Sequence, residues 1–136
     1  MWHRLAAALL IVSLTGCDSE EAEFATASDF LASRYTARAP NWFPSNATEI
    51  KLKVSSDGHF IMRFSFFRPP DFSSKLSTCQ RTQRPYSVEP RVGASWWPSD
   101  IKAPLATYLE FSFDCGQSGI LLVRGLPEKA VGYLWN

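Results

Sequence analysis

The chain has 136 residues, 46% of them hydrophobic, with 14 basic and 13 acidic side chains and a formal charge of +1. That length suits one domain with a real core. The near-neutral balance lacks the basic excess of a nucleic-acid-binding surface, and three cysteines with two histidines offer little material for a metal centre.

The first seventeen residues read as an export signal. Arg4 and the amino terminus supply a positive start, and residues 5–14 supply the apolar segment, which such signals need over about 7 to 15 residues. An ordinary signal ends in an Ala-x-Ala-like site, whereas here the segment closes on Leu14-Thr15-Gly16-Cys17. That motif resembles the lipobox of bacterial lipoproteins. The resemblance implies a diacylglyceryl group on the Cys17 sulfur, cleavage after Gly16 and acylation of the new amino group, so that residues 1–16 are signal peptide. A membrane-crossing helix takes about 20 apolar residues, and this run is shorter. Several acyl chains hold stably where one holds marginally, so the mature chain is expected to be tethered to a bacterial membrane on its periplasmic side. Asp18 resembles the enterobacterial signal that retains a lipoprotein in the inner membrane, which favours that membrane over the outer one.

Loss of Arg4 with the signal leaves 13 basic residues against the 13 acidic ones. Cys79 and Cys115 remain as an even pair in an oxidising compartment, and a disulfide between them is expected. Closing a loop of about 37 residues contributes on the order of 4 kcal/mol in the chain-entropy model. A metal pair or a catalytic thiol is the competing reading; no Cys-x-x-Cys occurs, and His59 is the one imidazole left after cleavage.

Residues 17–27, rich in Asp and Glu, read as a solvated acidic tether, and residues 28–136 as a single domain. Ser28 suits a helix cap before Phe30, Leu31 and Tyr35, which fall at helical spacing. Ile50, Leu52 and Val54 alternate with Lys51 and Lys53 as a strand, and Ser55-Ser56-Asp57-Gly58 reads as a hairpin turn. The return strand, 59–67, sets Phe60, Met62, Phe64 and Phe66 on one face. Pro69-Pro70-Asp71 stops it and opens a second short helix through Phe72 and Leu76, ending near Cys79. Residues 80–98 carry three prolines and read as a long irregular loop, a length that compact domains reserve for function or mobility. Strands follow at 107–115, 119–124 and 130–135, separated by Gly-rich turns. The order predicts an α+β fold: an antiparallel sheet of about five strands, made of a hairpin and a C-terminal meander, with two helices on one face and one disulfide.

The run Phe43-Pro44-Ser45-Asn46-Ala47-Thr48-Glu49-Ile50, followed by Arg63-Phe64, then Trp96-Trp97-Pro98 and the terminal strands, is similar to small bacterial lipoproteins over residues 40–136. The likeness implies an architecture and no activity.

Nucleophilic and acid–base chemistry needs groups held together with a partner base, and none is legible here. His59 follows a turn, and Asp57, Asp71 and Asp100 suit local turn and cap roles. The expected function is therefore non-catalytic, without cofactor or metal: an envelope lipoprotein acting as a binding module for an envelope protein or glycan. The alternative is an inhibitor or immunity lipoprotein directed at a toxin or cell-wall hydrolase. Rigid rings and loop arginines make Trp96, Trp97, Arg81, Arg84 and Arg91 the candidate partner contact, with core packing as the competing role for the two tryptophans.

Overall fold

The computed structural model describes residues 19–83, 86–101 and 110–136. Cys17, Asp18 and Arg84 lie outside them. The α+β class, the antiparallel sheet, the two helices and the disulfide are all present, but the sheet has seven strands instead of five. They are β1 Ser19–Thr26, β2 Thr48–Ser55, β3 Phe60–Phe66, β4 Gln80–Arg81, β5 Glu110–Asp114, β6 Ile120–Arg124 and β7 Ala130–Trp135. Their order across the sheet is β1-β2-β3-β7-β6-β5-β4, every neighbouring pair antiparallel.

Both additional strands are edges. β4 has two residues, too few for a period to register. β1 occupies most of the stretch read as a tether, and cross-strand chemistry explains why: Ala22 and Phe24 point into the core while Glu21 and Glu23 point out. Those two glutamates stand opposite Lys53 and Lys51, with N–O separations of 3.7 and 3.9 Å. Acidic alternation on one strand thus answers basic alternation on the next. Around the outward end, Arg34 and the Tyr35 hydroxyl both donate to Glu20 at 2.7 Å, clamping β1 to the segment after the first helix.

Helix α1 spans Ala27–Leu31, and its cap is Thr26 rather than Ser28: the Thr26 hydroxyl accepts the Asp29 amide at 3.2 Å. Helix α2 spans Phe72–Lys75. Both helices and the 42–47 segment cover one face, where Phe30, Trp42, Phe72 and Leu76 close over Phe24, Ile50, Leu52, Met62, Phe64, Phe66, Leu121 and Leu134. Each fully buried Leu, Ile or Phe contributes about 1.5–3 kcal/mol relative to exposure. Cys79, just past α2, is bonded to Cys115 at the end of β5, which fastens the helix layer to the sheet.

The long loop has a definite task. Tyr86, Val92, Ala94, Trp96, Trp97 and Ile101 pack over Ile61, Ile120, Leu122, Tyr133 and Trp135 on the opposite face, forming a second apolar cluster. Trp97 meets Tyr133 and Trp135 edge-on at 5.5 and 5.9 Å, and the Trp135 indole donates to the Val88 carbonyl at 2.8 Å. Lys53 reaches the Gly93 carbonyl from the hairpin side. The result is three layers, with β3, β6 and β7 buried on both faces.

Where the two halves of the sheet meet, Gly132 of β7 stands opposite Phe64 of β3, and the Phe64 ring occupies the space a Cβ at 132 would need. Gly132→Ala is expected to lower unfolding stability by about 1–3 kcal/mol, the usual range for overpacking; urea denaturation read by tryptophan fluorescence measures it.

Candidate functional site

Strand directions give the sheet two unlike ends. β1 starts, β2 finishes, β3 starts and β7 finishes at the end that carries the 55–59 turn, and the 115–119 turn joins β5 to β6 there. We call this the hairpin end. At the far end lie Thr26, Thr48, Phe66, Arg124 and Ala130.

The far end holds an open cleft of about 390 Å³, lined by Trp42, Phe43, Phe67, Pro69, Phe72 and Lys75 together with Asn41, Pro44, Ser45 and Asn46. Short-range bonds shape it. The Phe43 amide donates to the Pro40 carbonyl and the Ala47 amide to Pro44, which turns residues 40–47 tightly beside the sheet. The Asn46 side-chain amide donates to the Phe67 carbonyl at 3.0 Å, tying that turn to the end of β3. Phe72 stacks on Phe66 at 5.2 Å and meets Trp42 edge-on at 6.4 Å, forming the floor. Phe67 has no such partner and stays 51% exposed at the rim, while Leu126 is 55% exposed. The Arg68 amide bonded to the Pro127 carbonyl brings the 126–127 turn alongside. These are the two most exposed large apolar side chains among the described residues, and both are at this end.

A second cleft, of about 460 Å³, lies over β1 and β2 and is lined by Glu23, Phe24, Ala25, Glu49, Ile50, Lys51 and Arg63. It surrounds an irregularity in the β2–β3 register at which Glu49 takes a φ of 50°. Glu23 faces Lys51, Glu49 accepts from the Ser65 hydroxyl at 3.2 Å, and Arg63 stands opposite Lys51 on the neighbouring strand. It exposes no large ring.

At the hairpin end, the Ser55 hydroxyl donates to the Asp57 carboxylate and the His59 amide does so at 3.4 Å. These two hydrogen bonds, the Ser55 one first, hold the Asp57 carboxyl below its ordinary range. Arg38 donates to the Gly58 carbonyl at 2.9 Å from the helix side and lies 5.5 Å over the Phe60 ring. Arg91 approaches from the loop side, its guanidinium 3.5 Å from His59 Nε2.

The residues expected to form one contact are thus dispersed. Trp96 and Trp97 are half-buried in the second cluster, where they pack rather than project. Arg81 lies on β4 with its guanidinium 4.9 Å from the Phe111 ring, and Arg68 sits at the same distance from that ring. Arg91 is at the hairpin end beside β3. Four strand spacings of about 4.8 Å separate β3 from β4, roughly 19 Å. Sequence reasoning passed over Phe67; its signal was a fourth phenylalanine ending a strand whose alternation had already placed Phe60, Phe64 and Phe66 inward. Among the described residues no three of His, Cys, Asp and Glu come together as metal ligands, and no helix is long and apolar enough to cross a membrane.

No protein-family model, curated protein or solved structure matches this chain.

Truncation should separate the packed rings from the presented one. Trp97→Ala is expected to cost about 3 kcal/mol, the lower end for a buried aromatic because Trp97 is half-buried, whereas Phe67→Ser should stay within about 0.5 kcal/mol of wild type; chemical denaturation distinguishes them. The hairpin carries a pH signature. A carboxyl held low in the folded state adds stability that is present above its unfolded pKa and is lost as pH falls through the folded value. The Asp57 carboxyl should accordingly titrate below the usual carboxylate range by NMR, and Ser55→Ala should move its midpoint upward.

Proposed function

We propose that this chain is a bacterial envelope lipoprotein, held through acylated Cys17, whose domain is a non-catalytic binding module that offers the far-end cleft to a protein partner. One observation carries the reading: Phe67 stands exposed on an aromatic cleft at the end of the sheet opposite Ser19, where β1 begins. The seven residue steps of β1 from Ser19 to Thr26, at about 3.3 Å each, set the two ends of that strand roughly 23 Å apart. An anchored module engages a neighbour best with the surface that points away from its own membrane.

A protein fits this surface better than a glycan. Beyond the polar lining that Asn41, Ser45 and Lys75 give the cleft, Phe67 and Leu126 add exposed apolar area at its rim, and aromatic anchors of this kind dominate protein contacts. Trp96, Trp97 and Arg81, first expected at the contact, pack against neighbours of their own, so the reading moves the contact to Phe67, Leu126 and the rim of the cleft. The likeness of Asp18 to the enterobacterial retention signal supports the inner membrane over the outer one.

Benzoylphenylalanine in place of Phe67, irradiated in intact cells, should yield a discrete heavier adduct, while the same probe at Val88, on the opposite face, should yield none. Adducts of equal yield from both positions, or none from position 67, would refute the far-end contact.

A further inference from the structure

We propose that the hairpin end is a lipid-facing surface, with Arg38 and Arg91 set to meet anionic phospholipid headgroups. This rests on the Cys17 anchor argued above and goes beyond it, because an anchor alone does not say which way the domain faces.

The first argument is reach. β1 begins at Ser19, so the span from Cys17 to the fold is two residues, at most about 7 Å when fully extended. The headgroup layer on each side of a bilayer is itself about 5–8 Å deep. A domain on so short a lead cannot stand off from the surface: the end of the sheet that carries Ser19 is held against the headgroups.

The second argument is what lies at that end. The 55–59 turn neighbours the start of β1, since Ser19 pairs with Ser55. Arg38 reaches Gly58 from the helix side of the sheet, and Arg91 reaches His59 from the loop side. The two guanidiniums therefore bracket one turn from opposite faces. Neither has a carboxylate within ion-pair distance among the described residues. Of the acids nearby, Glu20 is ion-paired with Arg34 and Glu21 with Lys53, while Asp57 and Asp114 keep their charge but are bound into local turns by uncharged donors, and neither guanidinium is bonded to them. Cations without a carboxylate partner next to an anionic surface are attracted to it within a Debye length. The two most exposed apolar side chains, by contrast, lie at the far end, so a domain seeking lipid by apolar insertion would have to turn over, which the two-residue lead opposes.

The test uses the full acylated chain in nanodiscs. Single cysteines at Ser56→Cys, Ala25→Cys or Glu128→Cys, all exposed positions, are labelled with a fluorophore and read against lipids that carry a headgroup spin label. Strong quenching is expected at position 56, with little at 25 and 128. Arg91→Gln, alone and with Arg38→Gln, should reduce the extra quenching at position 56 that phosphatidylglycerol produces over phosphatidylcholine; Arg91 is exposed, so the single variant keeps the fold. A palmitate-labelled chain with equal quenching at 56 and 128 leaves the anchor standing and overturns the seating. Stronger quenching at 25 means that the domain lies on its β1 edge, and it also overturns the seating. Unchanged lipid preference in both arginine variants overturns their role, and a chain that takes up no palmitate removes anchor and seating together.

Discussion

The antiparallel seam between β3 and β7 is the constraint on which the rest of this structure depends. It joins the first three strands to the last four across a sequence gap of more than sixty residues, and every other strand hangs from one side of it. The seam is tight because Gly132 gives its side-chain space to the Phe64 ring. It is also double-faced: alternate residues along β3 and β7 feed the helix-side core through Met62, Phe64 and Leu134 and the loop-side core through Ile61, Tyr133 and Trp135. Loss of this pairing would open both cores at once. Long-range pairings of this kind pay their loop-closure entropy before they return stability, and the Cys79–Cys115 bond shortens the effective search by tying the outer half together.

The seam also fixes which residues share an end. Because β3 starts and β7 finishes together, Phe60 and Asn136 meet, with the Phe60 amide donating to the Asn136 side chain at 2.8 Å, and the hairpin turn is set next to the start of β1. The same registry sends Phe66, Phe67 and the 125–127 turn to the other end. The two most exposed large apolar side chains, Phe67 and Leu126, gather at that far end, a placement that follows from strand direction.

Much of this was legible in the sequence, and the parts that were not share physical causes. β2, β3 and β7 declare themselves because large apolar residues alternate with polar ones or fill both faces, and the turns between them carry Gly and Asp. The disulfide is legible from cysteine number and compartment. β1 escapes because its inward residues are an alanine and one phenylalanine, and its glutamates resemble a spacer until Lys51 and Lys53 are seen opposite them. The role of residues 86–101 escapes for a different reason: a covering layer without secondary structure has no period to detect, and its tryptophans look like a binding surface when the face they cover is unknown. The contact reading starts from the same point: it placed Trp96 and Trp97 by their chemistry, whereas the structure packs both against the second cluster. Phe67 escapes because periodicity reports what a strand buries, and this residue lies one step past the end of the pattern.

The two edges of the sheet are each blunted against further strand pairing. An unpaired edge invites another strand, and proteins blunt edges by shortness or charge. β4 is two residues long, and the disulfide beside it ties Cys79 to Cys115 at the end of β5. β1 is long enough to pair, but its charged side chains Glu20, Glu21 and Glu23, each ion-paired within the fold, are of the kind that blunts an edge. The surface left without such protection is the cleft end, where Phe67 and Leu126 remain exposed.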